Sequence, residues 1–388
     1  MKIPIVYNVR NLWKRKLTTG LTVLGIGLVV FVFTAVLMLA NGFQKAMIST
    51  GEPDNVIFLR KGSTAELTSI VARNQSDILK TLPESATMDD GKPLIARELV
   101  VVNSLKKRAS GEPSNVNVRG VSEESLKLRT KVKINKGRMW QPGTSEVITG
   151  AGVADKFVGC GLGEKVSMGG REWEVVGIFE AGGANFESEI WGDVEQFMQA
   201  FRRPVFSSMT MKMNDPGQFQ TMKERIETDP RVQVEAKREI EFYEEQSQGL
   251  RDFIEILGIT ITTIFGLGAV TGAVITMYSA VANRAKEIGT LRALGFKRRN
   301  ILTSFLAECV VLSVAGGLLG LFFASFLEFV TISTTNWSSF SEVVFSFEIA
   351  PQIITSSLSF AVIMGMVGGL APAARAARMQ VVTALRSS

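Results

Sequence analysis

Apolar and polar positions are unevenly distributed along the 388 residues. Four windows, 17–44, 256–283, 300–327 and 349–374, are almost free of charge; the third holds one acid, Glu308. Each exceeds the about 20 residues that a helix needs to cross the hydrocarbon core of a bilayer. The first window is also far longer than the about 7–15 apolar residues of a signal peptide, so it reads as an uncleaved span. Between the first two windows the rhythm changes. Short alternating runs at 55–59, 94–102, 115–121, 146–149, 164–168, 171–179, 205–213 and 231–235 predict strands. Helical spacing falls between them at 69–82, 152–158, 193–201 and 218–227. Gly169-Gly170, flanked by two of the runs, predicts a two-residue hairpin turn. The expected fold is an α-helical membrane protein with four transmembrane helices and a mixed α+β extracytoplasmic domain, 45–235, inserted between helices 1 and 2.

Charged helical residues at 236–255 run into the second window with only Gly249 as an interruption, which predicts a stalk continuous with the span. Residues 284–299 separate the second and third windows. Arg284, Glu287, Leu291 and Leu294 recur there at spacings of 3, 4 and 3, which puts them on one helical face. Gly295 supplies a helix stop, and Lys297, Arg298 and Arg299 form a basic collar. Two readings stand side by side: a short surface helix offering Glu287 among leucines to a soluble partner, or a basic loop that only fixes topology. Residues 1–16, with Trp13 among basic side chains, predict an amphipathic elbow helix that serves either as a membrane anchor or as a partner contact. Residues 328–348 predict a short outer loop whose Trp337, Phe340, Phe345 and Phe347 suit the membrane interface.

Within the windows, Gly268 and Gly272, Gly316 and Gly320, and Gly365 and Gly369 each lie four apart. Such pairs let helix backbones approach closely, so they predict packing seams, within one subunit or between two copies. Glu308 is costly inside a bilayer and is a functional candidate by default. It lies about two turns beyond Arg299, so a structural role, reaching a cytoplasmic-side Lys or Arg or a lipid headgroup, is the favoured reading.

Charge adds orientation. Of 43 basic and 37 acidic residues, the basic excess sits in 1–19 (net +5), 284–299 (net +5) and 375–388 (net +3). With four spans these segments share one side, expected to be cytoplasmic, with both termini there and the 45–235 domain outside. The overall +6 therefore reports topology and membrane lipid rather than nucleic acid. Of two cysteines, Cys309 falls in the third window, which leaves Cys160 without an outer partner. Histidine is absent, which excludes Ser-His-Asp and Cys-His catalysis and histidine-ligated metal. The run 159–165, Gly-Cys-Gly-Leu-Gly-Glu-Lys, has neither phosphate-loop spacing and reads as a turn. Ala181-Gly182-Gly183-Ala184-Asn185 reads as a flexible tip, with Phe186 and Trp191 as either contact or core aromatics.

The stretch Lys286-Glu287-Ile288-Gly289-Thr290-Leu291-Arg292-Ala293-Leu294-Gly295 resembles the coupling segment of FtsX/MacB-type ABC transporter permeases. Pro372-Ala373-Ala374-Arg375-Ala376-Ala377-Arg378 with Val382-Thr383-Ala384-Leu385-Arg386 resembles the tail of the same family. Further matches are Arg119-Gly120-Val121, Gly137-Arg138-Met139-Trp140, Glu146-Val147, Gly161-Leu162-Gly163 and Trp173-Glu174-Val175-Val176-Gly177, which are similar to the periplasmic domain of MacB-like members; the resemblance does not place 61–92. The resemblance implies a permease without its own ATPase motif or bound cofactor, with ATP and Mg on a separate FtsE/LolD/MacB-type ATPase. It implies Arg284, Lys286, Glu287, Ile288, Leu291, Arg292, Leu294 and Gly295 as the ATPase-coupling set. It also implies a second permease copy, as a homodimer or homologous heterodimer, in a bacterial inner membrane. Three tasks follow from it: MacB-like export with a periplasmic adaptor and outer-membrane channel, Lol-type extraction of lipoproteins or lipids, or FtsX-like control of cell-wall hydrolases. The size of the outer domain argues against the third, and the first is the expected task.

Overall fold

The computed structural model describes residues 16–337 and 339–381, so the elbow helix expected over 1–16 and the tail residues Val382–Arg386 lie almost wholly outside it. The chain divides into two compact units. One contains residues up to 41, 253–330 and from 347 onward; the other contains 42–252 and 331–346.

The first unit is helical. Four helices, Lys16–Ile48, Glu239–Asn283, Arg298–Phe329 and Pro351–Arg378, are long and apolar enough to cross a membrane. Large apolar side chains such as Leu24, Leu28, Ile264, Phe322 and Val367 are exposed along them. That is the inverse of a water-soluble bundle and suits a surface that lipid solvates. Packing between helices is close where side chains are smallest. A Cβ at Gly320 would lie 2.6 Å from the Gly27 oxygen, and one at Gly365 would lie 2.3 Å from Ser313 Oγ. Thr34 Oγ1 donates to Ser357 Oγ at 2.8 Å, with both side chains buried, so the first and fourth helices are also pinned by a polar contact. In the second helix, Thr260, Thr263 and Thr271 donate back to carbonyls one turn earlier, which consumes their polarity locally.

The second unit is built on a mixed sheet. In chain order its strands are β1 Asn55–Arg60, β2 Ile95–Lys106, β3 Pro113–Val121, β4 Lys133–Gly137, β5 Glu146–Gly150, β6 Lys165–Met168, β7 Arg171–Glu180, β8 Glu189–Asp193, β9 Ser208–Lys212 and β10 Val234–Arg238. They pair in the order β10-β1-β9-β2-β3-β8-β5-β7-β4, with β6 on β7. The β3–β8 and β5–β7 pairings are parallel and the others antiparallel. Gly169 (φ 57°) and Gly170 (φ 75°) turn the β6–β7 hairpin where the sequence placed it. One apolar core contains Phe58, Leu99, Trp173, Phe197 and Met209; a second contains Trp140, Phe179, Phe186 and Trp191.

Several expectations change. Residues 234–238 form an edge strand, and the stalk begins only at Glu239, as the first residue of one helix that runs to Asn283. Strands β4 and β8 and the helix Glu123–Leu128 were not foreseen. Residues 328–348 are not a plain interfacial loop. Within them, β11 Thr331–Thr335 and β12 Glu342–Ser346 make a hairpin belonging to the sheet-bearing unit. There Phe345 is buried edge-on against Phe43 at 5.4 Å, and Glu342 accepts from Ser114 at 2.8 Å. Trp337 and Phe340 stay exposed. Phe186 and Trp191 are core residues, in contact at 5.0 Å.

Candidate functional site

The segment linking the second and third apolar helices folds as the short helix Ala285–Ala293. Its end is fixed by the backbone. Gly295 (φ 91°) donates to the Arg292 oxygen, and Phe296 donates to the Leu291 oxygen, both at 3.1 Å. This pair of bonds is a Schellman closure, and its left-handed residue is the position that glycine occupies without strain. The third helix starts directly after it, with Lys297 as its N-terminal cap residue and Arg298 and Arg299 exposed.

The helix is held from one side. Ile288 is buried in a cluster with Met277, Val281, Ile301, Phe305 and Ala373. Arg284, at the start of the helix, is buried with its guanidinium 5.2 Å from the Phe305 ring centroid. Its Nε donates to Glu287 and its Nη1 to Glu308, each at 3.1 Å. Glu308 is thus paired with Arg284, 24 positions earlier in the chain. The pairing matters because an ionised carboxylate excluded from water is tolerated only with a charged, hydrogen-bonded partner.

Burying Arg284 and Ile288 decides what faces outward. Lys286, Glu287, Thr290 and Leu294 are exposed, with the Glu287 side chain at 51% and Leu294 at 70%. Leu291 and Arg292 are half-buried, and Arg292 Nη1 reaches the Phe296 oxygen at 3.3 Å. The face inferred from sequence is therefore rotated: Glu287 and Leu294 lie on the outward stripe, while Arg284 turns inward. Arg375, in the tail motif, lies 5.4 Å from the ring of Tyr278.

The small-residue pairs separate into two kinds. Gly316 and Gly320 meet the first helix at Ile26 and Gly27, and Gly365 and Gly369 meet the third at Ser313 and Cys309. Among the described residues, nothing lies within 4 Å of a Cβ built at Gly268 or Gly272. Those two line an apolar groove of ≈ 440 Å³ with Gly25, Ile26 and Phe265.

The 159–165 run is a turn in which the amides of Gly161, Gly163 and Glu164 already have acceptors. Gly161 N donates to the Glu164 carboxylate at 2.9 Å, and Arg108 pairs with the same group. Cys160 is buried, and burial pushes its thiol up to about 12, which leaves it unreactive at neutral pH.

Four helices long and apolar enough to cross a membrane, together with a mixed-sheet domain, fit a membrane protein with a sizeable folded domain outside the bilayer. Residues 19–229 match the family model of the MacB-like periplasmic core domain, and residues 259–381 match that of the FtsX-like permease C-terminal region. The chain belongs to this family: it is an ABC transporter permease of the MacB/FtsX type, a membrane protein with a periplasmic domain. It is 24% identical, over 97% of its length, to the macrolide export ATP-binding/permease protein MacB of Bdellovibrio bacteriovorus, of which it spans 60%. It is also 24% identical to the uncharacterized ABC transporter permease YknZ of Bacillus subtilis, over 73% of each chain. The solved extracellular domain of a YknZ transporter from Gram-positive bacteria aligns with 46% of this chain and 98% of its own, at 16% identity and a TM-score of 0.35.

Proposed function

We propose that this permease carries work done by a cytoplasmic ATPase to its periplasmic domain, powering export from the periplasm or the outer leaflet in a MacB-like system. The observation that carries the reading is the surface helix Ala285–Ala293. It is anchored by Ile288 and Arg284, closed by Gly295, and left with Glu287 and Leu294 outward. A partner that moves this helix must also move its anchors. ATP and Mg act on the ATPase; a periplasmic adaptor and an outer-membrane channel complete the path. The distribution of Lys and Arg supports placing both termini and the basic collar on the cytoplasmic side of a bacterial inner membrane. Cysteine labelling will find residue 90 accessible from outside and residue 297 from inside.

The Glu287→Lys variant tests the docking role. It inserts and folds, yet it loses ATPase binding and stimulated hydrolysis; normal values for both would remove the role.

The unfilled groove at Gly268 and Gly272 supports a second permease copy packed there. Its apolar lining also favours a second reading, Lol-type extraction, in which an acyl chain enters the groove. A photocrosslinker at Phe265 distinguishes the two: capture of another permease supports the dimer, and capture of lipid supports extraction.

A further inference from the structure

Six of the charged side chains buried in the sheet-bearing unit form one network that neither the coupling segment nor the family assignment explains: Glu66, Glu98, Arg119, Arg129, Glu189 and Glu239. Arg119, on β3, uses all five of its donors. It bonds Glu189 at 2.7 and 3.0 Å, Glu66 at 2.8 Å twice, and Glu98 at 2.7 Å. Arg129, just past the helix Glu123–Leu128, reaches both Glu98 oxygens at 3.3 Å and pairs with Glu239. The Phe186 ring lies 5.1 and 4.9 Å from the two guanidinium carbons.

Glu239 is where this network stops being internal to the sheet. It is the first residue of the helix that runs to Asn283. One carboxylate oxygen takes Arg129, and the other accepts from Glu52 N at 3.0 Å and Asn55 Nδ2 at 2.9 Å. Residues 52 and 55 belong to the segment that follows the helix Lys16–Ile48. The chain passes close here: a Cβ at Gly51 would lie 2.9 Å from Ile240 N. A single carboxylate therefore ties together the root of one long helix, the exit of another and, through Arg129 and Glu98, the centre of the sheet. One turn on, Tyr243 is buried against Phe186 at 6.3 Å, with Phe242, Ser247 and Leu250 also buried.

We propose that Glu239, held by Arg129, is the joint through which movement of the helix Glu239–Asn283 is imposed on the sheet. Apolar packing by Phe242, Tyr243 and Leu250 holds a helix against a sheet but resists sliding and rotation weakly, because it is non-directional. Charge-assisted hydrogen bonds from separate chain segments fix position and angle. Buried ion pairs commonly add little net stability over apolar replacements, so their value lies in this directional fixing. The role rests on the transmission reading above, and Glu239 and Arg129 act as positioning residues within it.

The test uses the full chain with its ATPase in nanodiscs, carrying a fluorophore on Lys133→Cys, an exposed site in β4; the native thiols are buried. Three variants are compared with the parent: Glu239→Gln, Arg129→Met, and the double variant Arg129→Met with Glu239→Leu. The fluorophore's response to ATP, near-ultraviolet circular dichroism and basal hydrolysis are recorded. The double variant keeps the folded spectrum and basal hydrolysis, while its nucleotide response falls about five-fold or more. Glu239→Gln, which retains one donor-accepting oxygen, falls between parent and double variant. A purely structural role would restore the response in the double variant along with folding, and that result overturns the joint. A parent that shows no nucleotide response overturns both the joint and the transmission reading. A double variant that does not fold, beside a Glu239→Gln variant with full response, also overturns the joint.

Discussion

Two buried arginines make an instructive pair. Arg119 sits in the sheet with all five donors spent on three carboxylates, each of them buried. Arg284 starts the Ala285–Ala293 helix, and its acceptors among the described contacts include the buried Glu308 and the exposed Glu287. Every acceptor in the first site is locked away from water. In the second, one is locked and one faces outward. The first arrangement suits a fixed anchor. The second suits an anchor that also presents a contact, since Glu287 can serve a partner while Glu308 still holds Arg284 in place.

The contrast can be broken by substitution. Arg119→Met leaves three buried carboxylates without their shared partner and will destabilise the sheet domain by about 3–5 kcal/mol, measured by denaturant unfolding of the purified protein. Arg284→Ala removes charge-assisted bonds and will loosen the Ala285–Ala293 helix by about 1.5–3 kcal/mol, read as faster amide exchange across it. Unchanged exchange would mean that Ile288 alone holds the helix.

Protons sharpen the same comparison. Burial pushes the Glu189 carboxyl up, more than Arg119 pulls it down. Burial also raises Glu66, but the charge and hydrogen bonds of Arg119, with Ser208, bring it below its ordinary 4.5. For Glu189 the folded value is the higher one. Its contribution is complete below 4.5 and is lost as pH rises through the folded value. For Glu66 the sign reverses: its contribution is present above 4.5 and is lost as pH falls through its lowered value. Together they predict a maximum near the ordinary glutamate value. Glu189→Gln will flatten the alkaline side of the sheet domain's stability profile; an unaltered slope would assign it to other groups. The smallest stability effect belongs to Glu287→Lys. The Glu287 end of its pair with Arg284 faces solvent, and a pair screened in this way contributes about 0–1 kcal/mol, so unfolding will barely move while ATPase stimulation is lost.

What the sequence made legible follows the same division. The apolar windows, the Gly169-Gly170 hairpin and the Gly295 stop were readable because each depends on local residue type. The Arg284–Glu308 pair spans 24 positions, and hydropathy placed Glu308 in a window without indicating what it meets. Strand β8 was missed because its ends are Glu189 and Asp193, and a buried glutamate breaks the alternation that marks a strand. Residues 236–238 looked helical because charge continues unbroken into the stalk, yet their pairing with β1 keeps them extended and prolongs the strand expected at 231–235. In β12, Phe345 read as an interfacial aromatic, although its partner Phe43 lies some three hundred positions earlier, near the end of the first long helix. Contacts of that reach leave no local signature. The outward position of Glu287 was legible; the inward turn of Arg284 was not, because it depends on Glu308 and Phe305.

The central claim is that the coupling helix drives the periplasmic domain. It is tested most directly by the ATP-dependent signal of a label at residue 133, compared between the parent and Glu287→Lys in nanodiscs with equal amounts of ATPase. The account predicts a clear nucleotide response in the parent and none in the variant. An equal response in both would contradict it.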